Sequence, residues 1–334
     1  MKKTYIIAEI GCNHNGDEKL AYELVDRAVE SGVDAVKFQT FKADKLISKV
    51  APKAEYQVKN TGDADSQLEM TKKLELSYET YLELFKYTAA KGVDWFSTPF
   101  DFDSIEFLEQ LDMKIWKIPS GEVTNLPYLE KIGSLPGSII ISTGMANIDE
   151  VKQALEILEN QGKKREEITI LHCITEYPTP DDEMHISTVK YLIDNFPDYT
   201  IGLSDHSSGY EAAIGSVALG AEVVEKHFTL DNDMPGPDHK ASANPEVLDA
   251  LVEGVRKIEV MMGTPKLEAT EIEKKNIPVA RKSIVASADI KAGDVLTVDN
   301  ITVKRPGNGI SPMKWYDVLG TVAKKDYAED ELID

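Results

Sequence analysis

Two histidines at matching places in the chain, His206 and His227, are its clearest metal-ligand candidates. Two short apolar runs, Tyr199–Leu203 and Ala221–Val224, each break off into polar residues. The first run delivers Ser204, Asp205 and His206; the second delivers Glu225, Lys226 and His227. The intervening SSGYEAAIGSVALG has the Ala and Gly spacing of a tightly packed helix. A strand–helix–strand unit sets its strands parallel, with their C-terminal ends at one edge. The two histidines are therefore predicted about one strand spacing apart, roughly 5 Å at the backbone. Two imidazoles at that separation can share one metal ion. A single histidine at a strand end is ordinarily a rim or core residue; the pair, each member beside a carboxylate, is what raises metal chemistry. Alternation turns Asp205 and Lys226 to the other face, towards the helices, as structural residues.

The elements that would position this pair recur along the first 260 or so residues. Apolar runs at Tyr5–Glu9, Val33–Phe38, Val93–Phe96, Ile115–Ile118, Ser138–Ile141 and Ile168–Cys173 precede the two already named. Between and after them lie helical patterns such as Glu18–Glu30, Tyr78–Ala90, Asp149–Glu159 and Pro245–Met262. Within Glu18–Glu30, Leu20, Leu24, Ala28 and Val29 share one face at helical spacing. Gly32, Gly92, Gly133 and Gly220 stand where helix C-caps are expected. Eight strand–helix repeats predict a (β/α)₈ TIM barrel, and the lack of a GxGxxG makes a doubly wound sheet the weaker alternative.

In such a barrel the active site is built just past the strand C-termini. Those ends carry Glu9; Lys37 and Gln39; Ser97 and Thr98; Lys117 and Ser120; Ser142 and Thr143; His172 and Thr175; Ser204 and His206; Glu225 and His227. Lysines with hydroxyls suit a phosphate and a carboxylate on one small ligand. Two His and two Glu suit a divalent metal with open positions and a carboxylate for proton work. Residue types and spacing thus point to a metal-assisted enzyme acting on an anionic, phosphorylated small molecule.

A formal net charge of −21 speaks against nucleic acid or an anionic membrane as partner. There is no run of 18 apolar residues, and MKKTYIIAEIG enters a strand without a signal-peptide core, so a soluble cytoplasmic protein is expected. Cys12 and Cys173 lack a CxxC partner and are expected to be reduced packing residues. The polar stretch Asp44–Leu74 is long enough for a lid or partner contact, or is a plain surface excursion. Residues 1–262 are expected to form the barrel, 263–280 a charged linker, and 281–334 a small β-rich domain broken by turns. In that domain KRPGNG places Lys304 and Arg305 before a tight loop, as ligand contacts or as a solvated basic turn.

The motifs IAEIGCNHNG, DAVKFQTFKADKL, FSTPFD, WKIPSGE, IISTGM, LHCITEYPTP, GLSDHSSG, EKHFTLD, PGPDH and KRPGNGISPMKWYDVLG resemble those of the bacterial sialic acid (N-acetylneuraminate) synthase family. The resemblance runs from Ile6 to Gly320. It implies a TIM barrel followed by an antifreeze-like (SAF) domain. It also implies a domain-swapped homodimer in which that domain covers the partner's site. The implied reaction is a transferase-type condensation of phosphoenolpyruvate with open-chain N-acetylmannosamine, giving N-acetylneuraminate and phosphate. On matching positions, Lys37, Thr98, Lys117, Ser120, Ser142 and Ser204 would hold phosphoenolpyruvate, and His206 with His227 would bind Mn²⁺, with Mg²⁺ or Co²⁺ as alternatives. Glu9 and Glu225 would handle protons, while Gln39, Tyr177, Asp238 and the neighbouring subunit's Arg305 would position the sugar. The chain departs from the family's usual pair after the Cys of the HCxxEYP motif. Ile174 and Thr175 stand there, so a phosphate contact at that position comes from Thr175 or is missing. His14 belongs to the pattern and is read as structural.

Three other readings share parts of this evidence. A legionaminic or pseudaminic acid synthase would run the same chemistry on a diacetamido-trideoxyhexose. A Schiff-base aldolase would use Lys117 covalently and need no metal. A sugar-binding or ice-binding protein is suggested by the C-terminal domain alone.

Overall fold

The computed structural model describes residues 3–62 and 64–334; Met1, Lys2 and Asp63, the last within the Asp44–Leu74 insertion, lie outside the described residues. The chain divides into two compact units, Met1–Gly263 and Thr264–Asp334.

Unit one is a TIM barrel. Its strands are β1 (Tyr5–Gly11), β2 (Ala35–Thr40), β3 (Asp94–Pro99), β4 (Ile115–Ile118), β5 (Ser138–Ser142), β6 (Ile168–Cys173), β7 (Thr200–Asp205) and β8 (Val223–His227). They pair in parallel in the order β3-β2-β1-β8-β7-β6-β5-β4, and β3 packs against β4 to close the cylinder. At that seam Met113 Sδ, rather than a β4 carbonyl, accepts from Ser97 N at 3.3 Å. The helices are α1 (Glu18–Glu30), α2 (Ala43–Leu46), α3 (Glu55–Thr61), α4 (Gln67–Lys72), α5 (Tyr78–Ala90), α6 (Phe102–Glu109), α7 (Leu126–Ser134), α8 (Ile148–Asn160), α9 (Thr188–Asn195), α10 (Glu211–Ala218) and α11 (Pro245–Met262).

Side-chain caps start most of the outer helices. Asp17, Ser77, Asp101, Asn125, Asn147 and Asn244 each accept from a backbone N–H in the first turn that follows. Gly32, Gly92 and Gly220 lie just beyond α1, α5 and α10 at positive φ. Gly133 departs from the cap reading: it lies inside α7, where an added Cβ would come within 2.9 Å of Gln161, so it is there for close helix packing. Ile6, Ala8, Ile10, Val36, Phe38, Ile139, Ile141, Ile170 and Val224 meet Leu24, Leu84, Ile132, Leu155 and Leu251 of the helices in one continuous core.

Asp44–Leu74 is not structureless: it folds into α2, α3 and α4, helices too short to leave a periodic signal in the sequence. In unit two, β9 (Ser283–Ala286) and β10 (Ile301–Lys304) form an antiparallel pair over Ile284, Ile290, Leu296, Ile301, Tyr327 and Ile333. The stretch expected as a linker carries α12 (Glu271–Lys274) and α13 (Ile277–Ala280), and it is tied to the KRPGNG loop. Gly307 N donates to Pro278 O at 2.7 Å, and Arg305 Nε to Ala280 O at 3.0 Å. Further on, α14 (Trp315–Val318) precedes the final turns. Among the described residues no helix is long and apolar enough to cross a membrane.

Candidate active site

The parallel register brings the polar strand ends together at one mouth of the barrel. Glu9 lies opposite both Lys37 and His227, and Ser204 lies opposite Glu225. Beyond Glu9 the β1 ladder slips at Gly11, whose φ of 54 suits glycine. The slip leaves Glu9 Oε1 to accept from Gln39 Nε2 at 2.9 Å.

A cavity of about 470 Å³ opens there. Its floor is a ring of buried charges. Lys37 Nζ lies 2.7 Å from Glu9 Oε2 and 3.6 Å from Glu225 Oε2, and it donates to Thr98 Oγ1 at 3.1 Å. Lys117 Nζ lies 3.6 Å from Glu225 Oε1 and donates to Ser142 Oγ at 2.7 Å. Ser204 Oγ donates to Glu225 Oε1 at 2.8 Å. The environment splits the two carboxyls. Burial, reinforced by Glu225, pushes Glu9 up to about 7 against the pull of Lys37. Burial also opposes charge on Glu225, but Lys117, Lys37 and the Ser204 hydroxyl outweigh it and hold Glu225 down at about 2. A proton-holding carboxyl beside a permanently ionised one is the arrangement that acid–base chemistry uses. With two lysines against one ionised glutamate, the floor favours an anion.

Above the floor the rings of His206 and His227 lie with centroids 5.2 Å apart, and Tyr177 stacks on His206 at 4.1 Å. His206 Nδ1 donates to Ile174 O at 2.6 Å, which leaves Nε2 as its lone-pair nitrogen. His227 Nδ1 is buried without a hydrogen-bond partner, 4.0 Å from Asp238 Oδ2. Burial, with His206 and Lys37 adding to it, holds His227 well below its ordinary value, in the neutral form that ligates metals. Burial raises Asp238 to about 6. Among the described residues no three or more His, Cys, Asp and Glu side chains form a complete metal cage. Two nitrogens, one an orphaned buried atom, fit an open site whose other positions belong to water and substrate.

The cavity lining includes Glu9, Lys37, Gln39, Thr98, Lys117, Ser120, Ser142, Thr175, Tyr177, Ser204, His206, Glu225, His227 and Asp238. Ser120 Oγ accepts from Gly144 N at 3.0 Å, and a Cβ at Gly144 would come within 2.6 Å of Thr175 and 2.8 Å of Ser120. Three of the strand-end residues point elsewhere: His172 Nε2 meets Met184 O at 2.8 Å, Ser97 Oγ bonds Thr40 Oγ1 at 2.7 Å, and Thr143 Oγ1 donates to Leu171 O. Within unit two, Lys304 pairs with Asp330. Arg305 belongs to unit two and is exposed. Asp205 and Lys226 face the helices as a fully buried ion pair at 3.0 Å. His14 accepts from Gly16 N at 3.1 Å and stacks on Phe38.

Sequence reasoning missed several contributors. Cys12 and Cys173 are not merely packing residues: both line the cavity. Cys12 Sγ donates to Gln39 Oε1 at 3.2 Å, and Cys173 Sγ lies 3.8 Å from His206 Nδ1. Both directly follow or close strands that deliver site residues, a signal that was available. Tyr56 of α3 extends the aromatic stack, 5.1 Å from Tyr177. At Ile174 the backbone carbonyl does the work, so the unusual side chain costs His206 nothing.

Comparison with known proteins identifies the lineage. Residues 24–266 match the NeuB family and residues 281–334 the SAF domain. The chain belongs to the NeuB family. It is 50% identical to N,N'-diacetyllegionaminic acid synthase of Campylobacter jejuni over 100% of this chain and 99% of that one. It is 41% identical to the protein of the same name from Legionella pneumophila, over 95% and 89%. Among solved structures it is similar to N-acetylneuraminic acid (sialic acid) synthetase of Leptospira borgpetersenii, with a TM-score of 0.71 and 30% identity over 83% of this chain and 90% of that one.

Proposed function

We propose that this NeuB-family enzyme condenses phosphoenolpyruvate with an open-chain 2,4-diacetamido-2,4,6-trideoxyhexose, giving a legionaminic-type nonulosonic acid and inorganic phosphate. One observation carries the phosphoenolpyruvate half: the buried ring in which Lys37 and Lys117 face Glu9 and Glu225 beneath two imidazoles. For the acceptor, the full-length likeness to diacetyllegionaminic acid synthases favours the diacetamido sugar over N-acetylmannosamine, the acceptor first expected. N-acetylmannosamine remains the second reading, supported by the likeness to a sialic acid synthetase.

In this reading Lys37 and Lys117, with the hydroxyls of Thr98, Ser120, Ser142, Thr175 and Ser204, hold the phosphate and carboxylate of phosphoenolpyruvate. Gln39, Tyr177 and Asp238 orient the sugar, as does Arg305 from a second copy. A divalent ion, Mn²⁺ foremost, held by His206 and His227 would supply a Lewis acid for the sugar aldehyde. C3 of phosphoenolpyruvate bonds to the aldehyde carbon, and the aldehyde oxygen takes a proton. Water then adds at C2, giving up a proton, and the tetrahedral intermediate breaks its C–O bond to phosphate, leaving the keto acid. Glu9, poised between protonated and ionised forms near neutrality, is the group suited to exchange those protons; Glu225 stays ionised and fixes both lysines. A Schiff-base route through Lys117 is disfavoured by its engagement with Glu225 and Ser142. The test compares initial rates of phosphate release on the two sugars: a higher kcat/KM on the diacetamido sugar is expected, and a preference for N-acetylmannosamine would overturn the acceptor assignment.

A further inference from the structure

The cavity has two chemically different halves. Its floor is charged, whereas the wall contributed by residues 44–74 carries no charged side chain. That segment is rich in Lys, Asp and Glu, yet Asp44, Lys45, Lys49, Glu55 and Lys59 all lie on its exposed side. Towards the cavity it turns Leu46 and Ile47 at the end of α2, and Met70 and Leu74 in and just after α4. The two helices pack together, Met70 and Leu74 are only 6% and 7% exposed, and all four apolar side chains line the same cavity. Beside it lies an amide pair in which Gln67 Nε2 donates to Gln57 Oε1 at 3.4 Å. The segment is anchored across the mouth by Asn60 Nδ2, which donates to Pro237 O at 2.7 Å.

We infer that this inner face selects the acceptor by receiving its deoxygenated end. The inference rests on the acceptor reading above. The reacting aldehyde belongs at the histidine pair and phosphoenolpyruvate on the charged floor, so carbons 4 to 6 of the acceptor extend towards the wall. There the C6 methyl packs on Leu46, Ile47, Met70 and Leu74, and the second acetamido group meets the amides of Gln57 and Gln67. A C6 hydroxyl set on those four side chains would lose water, with the Thr71 hydroxyl of the same wall as its one nearby candidate partner among them. An apolar pocket discriminates such a group by about 10- to 200-fold.

The test measures kcat/KM for both sugars, at saturating phosphoenolpyruvate, in the wild type and in Leu46→Gln, Ile47→Thr and Met70→Leu, with thermal melting as a check on folding. Wild type is expected to favour the diacetamido sugar by at least about 10-fold. Leu46→Gln and Ile47→Thr are expected to shrink that ratio by about 10-fold, mainly through KM, while Met70→Leu leaves it unchanged. If Leu46→Gln fails to fold, Ile47→Thr at a half-buried helix end carries the same comparison. A parallel loss on both sugars, or an unchanged ratio, would overturn the inference and leave the function standing. A wild type that prefers N-acetylmannosamine would overturn the acceptor reading and the inference together.

Discussion

Glu9 and Glu225 share one lysine and differ in protonation, and substitution should separate their roles. Glu9→Gln keeps the hydrogen bond to Gln39 within reach and removes the proton exchange. Folding and phosphoenolpyruvate binding are expected to persist while kcat falls by about 10²- to 10⁴-fold; near-native turnover would reassign the proton work. Glu225→Gln instead strips buried Lys117 of its counter-charge and leaves Lys37 with Glu9 alone, and a lower melting temperature is expected alongside lost activity. His14, which does not line the cavity, provides a pH test. Burial holds it at about 4, against about 6.5 unfolded, so the unfolded chain binds a proton first as pH falls. The stability it contributes is complete above about pH 6.5 and is lost as pH drops towards 4, by up to about 3 kcal/mol. Melting curves from pH 7 to 4 should fall less steeply for His14→Gln than for the wild type; parallel curves would contradict this. At this scale the polar strand ends were legible because strand alternation dictates facing: Ser204 and His206 inward, Asp205 outward. The Ile174 carbonyl was not legible, since backbone groups leave no trace in residue type.

The Asp205–Lys226 pair ties β7 to β8 behind the histidines, and Lys226 also donates to Ser207 O. Lys226→Met leaves Asp205 buried without its counter-charge, held only by Ser207 N and Oγ at 2.8 and 2.7 Å, an expected loss of about 3–5 kcal/mol in denaturant unfolding, whereas the double variant Asp205→Asn with Lys226→Met, which removes the charge and keeps an acceptor for Ser207, should recover part of it. Equal losses in the single and double variants would show that charge pairing is not what that position contributes. Helices α1, α5 and α11 were readable to the residue because each has a polar start and a long apolar stripe. Helices α2–α4 and α12–α13 were not, since a segment of one or two turns has no period to detect, and their packing against a cavity or loop decides them. Cys12 and Cys173 escaped for a related reason: thiols serve cores and cavities equally, and only the closed barrel shows which.

For the whole molecule, the barrel was legible from eight repeats, and the change at residue 264 from a change in composition. If Arg305 reaches a second copy's site, mixing Glu9→Gln chains with Arg305→Ala chains should regenerate one intact site per hybrid dimer. Partial recovery of phosphate release is expected, and no recovery would place Arg305 outside the partner's site. In the proposed reaction the paired imidazoles and the charged floor act together on phosphoenolpyruvate. The most direct measurement follows phosphate release with the diacetamido sugar after exhaustive chelation and again after manganese is restored. Activity that vanishes and returns is expected, with neither step rescued by pyruvate. Full turnover in the chelated enzyme, or pyruvate serving in place of phosphoenolpyruvate with a borohydride-trapped lysine, would contradict it.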